Sequence, residues 1–71
     1  MALNYAYNFA YIDPETNMCI QFESTSNPAQ GENEGWVEVP VNDPEYLFKF
    51  YINGNWYEDA EGTIPWTSSL L

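Results

Sequence analysis

Asn53 and Gly54 stand between two short aromatic runs, Phe50-Tyr51-Ile52 and Asn55-Trp56-Tyr57. A two-residue type I′ turn needs positive φ at both central positions, which Asn and Gly tolerate and most residues do not. The pair therefore predicts a tight hairpin with Ile52 opposite Asn55, Tyr51 opposite Trp56 and Phe50 opposite Tyr57. Two aromatic cross-strand pairs of this kind contribute about 0.2–1 kcal/mol each. A chain of 71 residues that commits this stretch to a hairpin has little length left for anything but more antiparallel strand.

The rest of the chain agrees. From Leu3 to Ile12 the residues alternate: Leu3, Tyr5, Tyr7, Phe9 and Tyr11 are large, while Asn4, Ala6, Asn8 and Ala10 are small or polar. That is the period of a half-buried strand. Asp13-Pro14-Glu15-Thr16-Asn17 reads as a turn, and Met18 to Ser24 resumes the strand with Met18, Ile20 and Phe22 in phase. Thr25 to Gly35 has no large apolar residue and reads as a long, mobile surface loop. Trp36 to Val41 returns to strand, with Pro40 suiting a sheet edge. Asp43-Pro44-Glu45 is a helix-start signature with room for about one turn before Phe48. The expected fold is mostly β: a single small antiparallel sheet of about 4–5 strands built from hairpins, with at most one short helical turn near 43–47. Residues 1–62 form the domain, including the loop 25–35, and 63–71 is an apolar C-terminal tail.

Charge narrows the function. Eleven Asp and Glu face a single basic residue, Lys49, for a net charge of −10 with no His. One lysine cannot replace the counterions of a nucleic acid, nor dock the chain on anionic lipid. Without His, imidazole catalysis and His-containing zinc sites are excluded. One Cys permits no internal disulfide. Cys19, between Met18 and Ile20, reads as a small buried hydrophobe in a reducing cytoplasm. Disorder is not expected, because 18% of the residues are aromatic. Met1 to Tyr5 has neither the basic nor the apolar region of a secretory signal, and no apolar run approaches a membrane span. The acids concentrate in turns and loops, with only Glu23 and Glu38 inside strands, so the charge reads as a solubilising rim around an aromatic sheet.

Few residues read as chemistry. Asp13, Glu15 and Asn17 have the opening spacing of a calcium loop, but Met18 stands where glycine is needed and Ser24 where the last acid belongs. Glu58, Asp59 and Glu61 follow the hairpin with no cleft to separate their pKa values. No metal site, no cofactor and no enzymatic activity are expected. The candidates for partner binding are aromatic and apolar: Tyr5, Tyr7 and Tyr11 on the first strand, Tyr51, Trp56 and Tyr57 on the hairpin, and Ile64, Trp66, Leu70 and Leu71 in the tail. The tail either folds back over an open sheet face or anchors another chain.

Residues 7 to 59 resemble a family of short β-rich proteins and terminal modules of tailed bacteriophages. The residues that carry the likeness are Tyr11-Ile12-Asp13, Asn17-Met18-Cys19-Ile20, Ser24-Thr25-Ser26, Trp36-Val37-Glu38-Val39-Pro40, Asp43-Pro44-Glu45-Tyr46-Leu47, Lys49-Phe50-Tyr51 and Asn53-Gly54-Asn55-Trp56-Tyr57. The resemblance implies a non-enzymatic structural protein of the virion, tail- or fibre-associated, made in the host cytoplasm. It docks on a larger virion protein or on its own copies, without nucleic acid or membrane. The chain departs from the pattern in the aromatic residues ahead of the last hairpin and in its added Trp-containing tail. Two other functions fit the composition: an acidic inhibitor that mimics nucleic acid in a host defence nuclease, and a carbohydrate-binding module of a fibre.

Overall fold

The computed structural model describes residues 7–71. Five strands form among them: β1 (Tyr7–Ile12), β2 (Cys19–Thr25), β3 (Trp36–Val39), β4 (Phe50–Ile52) and β5 (Asn55–Tyr57). All pairing is antiparallel, and the chain is mostly β as its sequence predicts. The strands fall into two ladders, β2-β1-β3 and β4-β5. These meet at the start of β2, where Met18 bridges Phe50. There Cys19 N–H donates to the Lys49 carbonyl at 2.8 Å and Tyr51 N–H to the Asn17 carbonyl at 2.9 Å. Across both ladders the strands follow the order β3-β1-β2-β4-β5.

The two ladders do not merge into the single sheet expected, and a tight turn stands just before β4 where they meet. Lys49 N–H donates to the Tyr46 carbonyl at 3.1 Å, closing a turn around Leu47 (φ −58, ψ 132) and Phe48 (φ 72). This is a type II turn, whose third position calls for Gly or Asn. Phe48 occupies it, and the chain leaves this turn directly into the one bridge that joins the ladders, Phe50 to Met18.

The Asn-Gly hairpin has the expected register, with Ile52 opposite Asn55, Tyr51 opposite Trp56 and Phe50 opposite Tyr57. Asn53 (φ 52) and Gly54 (φ 85) both take positive φ. At the first turn Asp13 Oδ1 accepts from Glu15 N–H at 3.0 Å, its Oδ2 accepts from the Thr16 hydroxyl at 3.1 Å, and Asn17 has φ 66. The Asp13 carboxylate serves its own turn.

β2 departs from its predicted phase. Tyr11 pairs with Gln21 but Ile12 pairs with Cys19, so Ile20 is an extra residue with no partner on β1. Such a bulge shifts the side-chain alternation by one. Cys19 is fully buried, as its sequence setting predicts, while Ile20 is 44% exposed instead of sharing the inner face with Phe22. Burial pushes the Cys19 thiol up from its ordinary range, and the thiol donates to the Gln21 carbonyl at 3.3 Å.

Read as half-buried, β1 is buried on both faces at its centre. The small face carries the main core: Ala10 and Ile12 meet Cys19, Val39 and Tyr46, with Phe22, Tyr51, Trp56 and Trp66 around them. Ala10 leaves the room that these large neighbours fill. Asn8, also on this face, accepts from the Ser24 hydroxyl at 2.6 Å, which satisfies a buried amide. The aromatic face is covered by the segment read as a bare loop, which contains a second helical turn, a 3-10 turn at Pro28–Glu32. Asn27-Pro28 begins it as Asp43-Pro44 begins the 3-10 turn Pro44–Tyr46, each cap side chain accepting from the N–H two residues on. Gly31 lies against the Phe9 ring, and Tyr11 meets Trp36 across the ladder with centroids 5.3 Å apart.

The tail folds back along β5. Glu58 N–H donates to the Ile64 carbonyl at 2.8 Å and Trp66 N–H to the Trp56 carbonyl at 3.0 Å. Pro65 bridges Tyr57 between these bonds, at a position where its missing N–H would face away from β5. The reversal is built on Asp59, which accepts from the Thr63 hydroxyl and from Ile64 N–H at 3.0 Å. Those bonds, the Thr63 hydroxyl first, hold its carboxyl below the usual range.

Candidate functional site

Opposite ends of the strand order face one another across a groove of about 360 Å³. Val37 to Pro40 form one wall. Asn55 and Trp56 of β5, with Trp66 to Ser68 of the tail, form the other, and Tyr46 and Tyr51 close its base. β3 and β5, the latter edged by the tail, end the strand order, so the chain is curled enough to bring the two ends of that order together.

Tyr46 is the hub of the groove and is 3% exposed. Trp56 and Trp66 both meet it edge-on with centroids at 4.9 Å, and Phe22 stacks on it at 6.0 Å. Burial, then the nearby Asp43 charge, raises the Tyr46 hydroxyl above its usual range, so it stays protonated. Asp43 begins the turn that delivers this ring. The Ser68 hydroxyl, then Glu45 N–H, holds the Asp43 carboxyl below the usual carboxylate range. Lys49 places its Nζ 4.9 Å from the Trp66 ring centroid, so the one basic side chain of the protein sits against the wall of the groove.

The two walls differ in one respect that matters for binding. The outer edge of β5 is closed by the tail. The outer edge of β3 has no backbone bond from another element except Trp36 N–H, which donates to Asn33 at 3.3 Å, among the described residues. Ile12 N–H donates to the Gly35 carbonyl, which sets residues 35, 37 and 39 bonding towards β1. Glu38 therefore turns its N–H and carbonyl outward. The groove combines aromatic surfaces with an open strand edge, and the chemistry these offer is recognition.

Of the residues singled out by sequence, Tyr51, Trp56, Trp66 and Leu71 line this groove. Tyr7 and Tyr11 lie on the opposite face of the first ladder, Tyr7 stacked on Phe9 at 6.5 Å and Tyr11 against Trp36. Tyr57, beside Gly62, and the exposed Ile64 and Leu70 stand outside the groove, and Tyr5 lies outside the described residues. Tyr46 and Glu38 were not anticipated. Glu38 is legible only in hindsight, as one of the two acids placed inside strands. Among the described residues no cluster of Asp, Glu or Cys is arranged to hold a metal ion, and no helix is long and apolar enough to cross a membrane. No protein-family model, no curated protein and no solved structure matches the chain.

Proposed function

We propose that this chain is a small non-enzymatic docking module that binds a protein partner in the groove between β3 and the tail. The observation that carries the reading is the groove itself: aromatic walls over a rigid aromatic base that continues the core, beside an open strand edge. The likeness of residues 7 to 59 to tailed-phage modules supports a virion role, tail- or fibre-associated, with a larger virion protein as the partner. The acidic-mimic reading has less support. A phosphate mimic needs free carboxylates along a track, whereas Asp13, Asp43 and Asp59 accept hydrogen bonds within their own turns or from the tail. A carbohydrate module needs ring faces set out flat for stacking, whereas Trp56 and Trp66 are each engaged in a T-shaped contact with the buried Tyr46 ring.

Carboxyl-directed cross-linking of purified particles, followed by mass spectrometry, tests this. The expected result is a link from Glu38 to one larger virion protein. Absence of the chain from particles, or cross-links confined to the acids of 13–15 and 58–61, overturns it. A glycan array with reproducible hits blocked by Trp56→Ala would favour the carbohydrate reading instead.

A further inference from the structure

We infer that the occupant of the groove is an extended basic-and-apolar peptide segment of a partner protein, added as a strand to the open edge of β3. The inference rests on the docking reading of the groove and gives its partner a chemistry. Glu38 points both its N–H and its carbonyl away from β1, while Pro40, the next residue of the same parity, has no N–H to offer. An added antiparallel strand thus has one reciprocal pair of backbone bonds to make, at Glu38, and that fixes its register. Side chains directly opposite in a sheet share a face. The partner residue facing Glu38 therefore meets a carboxylate, and a basic side chain answers it. Its two neighbours project to the other face, beside Val37 and Val39 and towards Trp56 and Trp66, where apolar side chains fit. The pattern is apolar-basic-apolar, reinforced by a net charge of −10 on the protein. A second copy is the wrong occupant: pairing β3 on β3 about Glu38 sets like carboxylates face to face and joins two chains of −10 each.

The test uses the full chain labelled with ¹⁵N and the peptide Ac-Thr-Val-Lys-Val-Thr-NH₂. Two companions accompany it, one with Glu replacing Lys and one N-methylated at the central residue. At low salt the Lys peptide is expected to slow hydrogen exchange of the Glu38 amide and to bind about tenfold tighter than the Glu peptide, a preference that salt erodes. The N-methylated peptide is expected to fail. Glu38→Pro removes an N–H that β1 does not use, together with the carboxylate, so the variant is expected to keep its fold and lose both the Lys and the Glu peptide. Glu38→Gln keeps the edge bond and loses the preference for Lys over Glu. Binding that leaves the Glu38 amide unchanged, or survives Glu38→Pro, overturns strand addition while leaving the docking reading intact. No shift at millimolar peptide also overturns the inference, and the particle cross-links then decide the docking reading alone. Concentration-dependent dimers with a protected Glu38 amide and no peptide present would overturn it in favour of a second copy.

Discussion

The Asp43 carboxylate accepts a hydrogen bond from the Ser68 hydroxyl at 2.5 Å, across 25 residues of sequence, with both residues buried. The same carboxylate accepts from Glu45 N–H at 2.9 Å, and Ser68 Oγ in turn accepts from Leu70 N–H at 3.1 Å. One acid thus begins the turn that delivers Tyr46 and holds the tail that delivers Trp66. The two rings meet at 4.9 Å, and they form adjacent parts of the groove.

Ser68→Ala is expected to loosen the tail and lower the thermal midpoint, with Trp fluorescence shifting to the red as Trp66 gains solvent. The deficit depends on pH. The Asp43 carboxyl is held below its ordinary value of 3.8, so its contribution to stability is present above that pH and is lost as pH falls through the folded value. The gap between the wild-type chain and Ser68→Ala should therefore close below about pH 3.8. Thermal denaturation of both proteins between neutral and acid pH checks this, and a gap that stays constant through the acid range refutes it.

Gly31→Ala tests how firmly the segment after β2 covers β1. A Cβ at Gly31 would stand 2.6 Å from Phe9 Cε1, on a ring that is 2% exposed and so must shift within the interior to make room. Overpacking of this kind costs about 1–3 kcal/mol. Trimming the ring in Phe9→Leu should recover part of that loss in the double variant, a coupling that a denaturation cycle measures directly. Additive losses would mean that the two residues do not press on each other.

Phe48 is 65% exposed and has φ 72, a conformation that costs an ordinary L-residue about 1–2 kcal/mol. Phe48→Gly removes that cost but adds flexibility to the unfolded chain worth about 0.5–1 kcal/mol. A net gain of about 0.5–1 kcal/mol is expected. Phe48→Ala keeps the strained backbone and loses only an exposed ring, so it should gain nothing. Equal gains from both substitutions would trace the effect to the ring instead of the backbone.

What could be read from the sequence follows the range of each signal. Asn53-Gly54 specifies its turn locally, so the hairpin and its three residue pairs were legible to the residue. Asp43-Pro44 works in the same way, and Asn27-Pro28 carries the same signal inside a segment that otherwise has only loop chemistry. The bulge at Ile20 was not legible, because alternation continues through Met18 and Phe22 and only the demands of the neighbouring ladder break it. Nor was the groove: Tyr46 and Trp66 are 20 positions apart, and nothing near either residue announces the Asp43–Ser68 bond that brings them together. The tail showed its apolar residues but not its route. Its course depends on Pro65 falling where β5 needs no N–H.

The imbalance of charge gives a last prediction. Eleven acids repel one another, and Lys49, the one basic residue, holds its ammonium 4.9 Å from the Trp66 ring centroid. Lys49→Met keeps the length of the side chain, removes a cation–π contact worth about 0.5–1 kcal/mol at an exposed site, and takes the net charge from −10 to −11. It should destabilise the chain by about that amount at low salt. Added sodium chloride should raise the midpoint of both proteins by screening the carboxylates, since exposed charges more than about 10 Å apart are largely decoupled at 0.1 M. Lys49→Arg should match the wild-type chain, because a guanidinium stacks on an indole at least as well as an ammonium. Denaturation midpoints across a salt series check all three. A midpoint that falls with salt would show that attraction to Lys49 outweighs repulsion among the acids, and would remove the reason for a basic partner to be favoured.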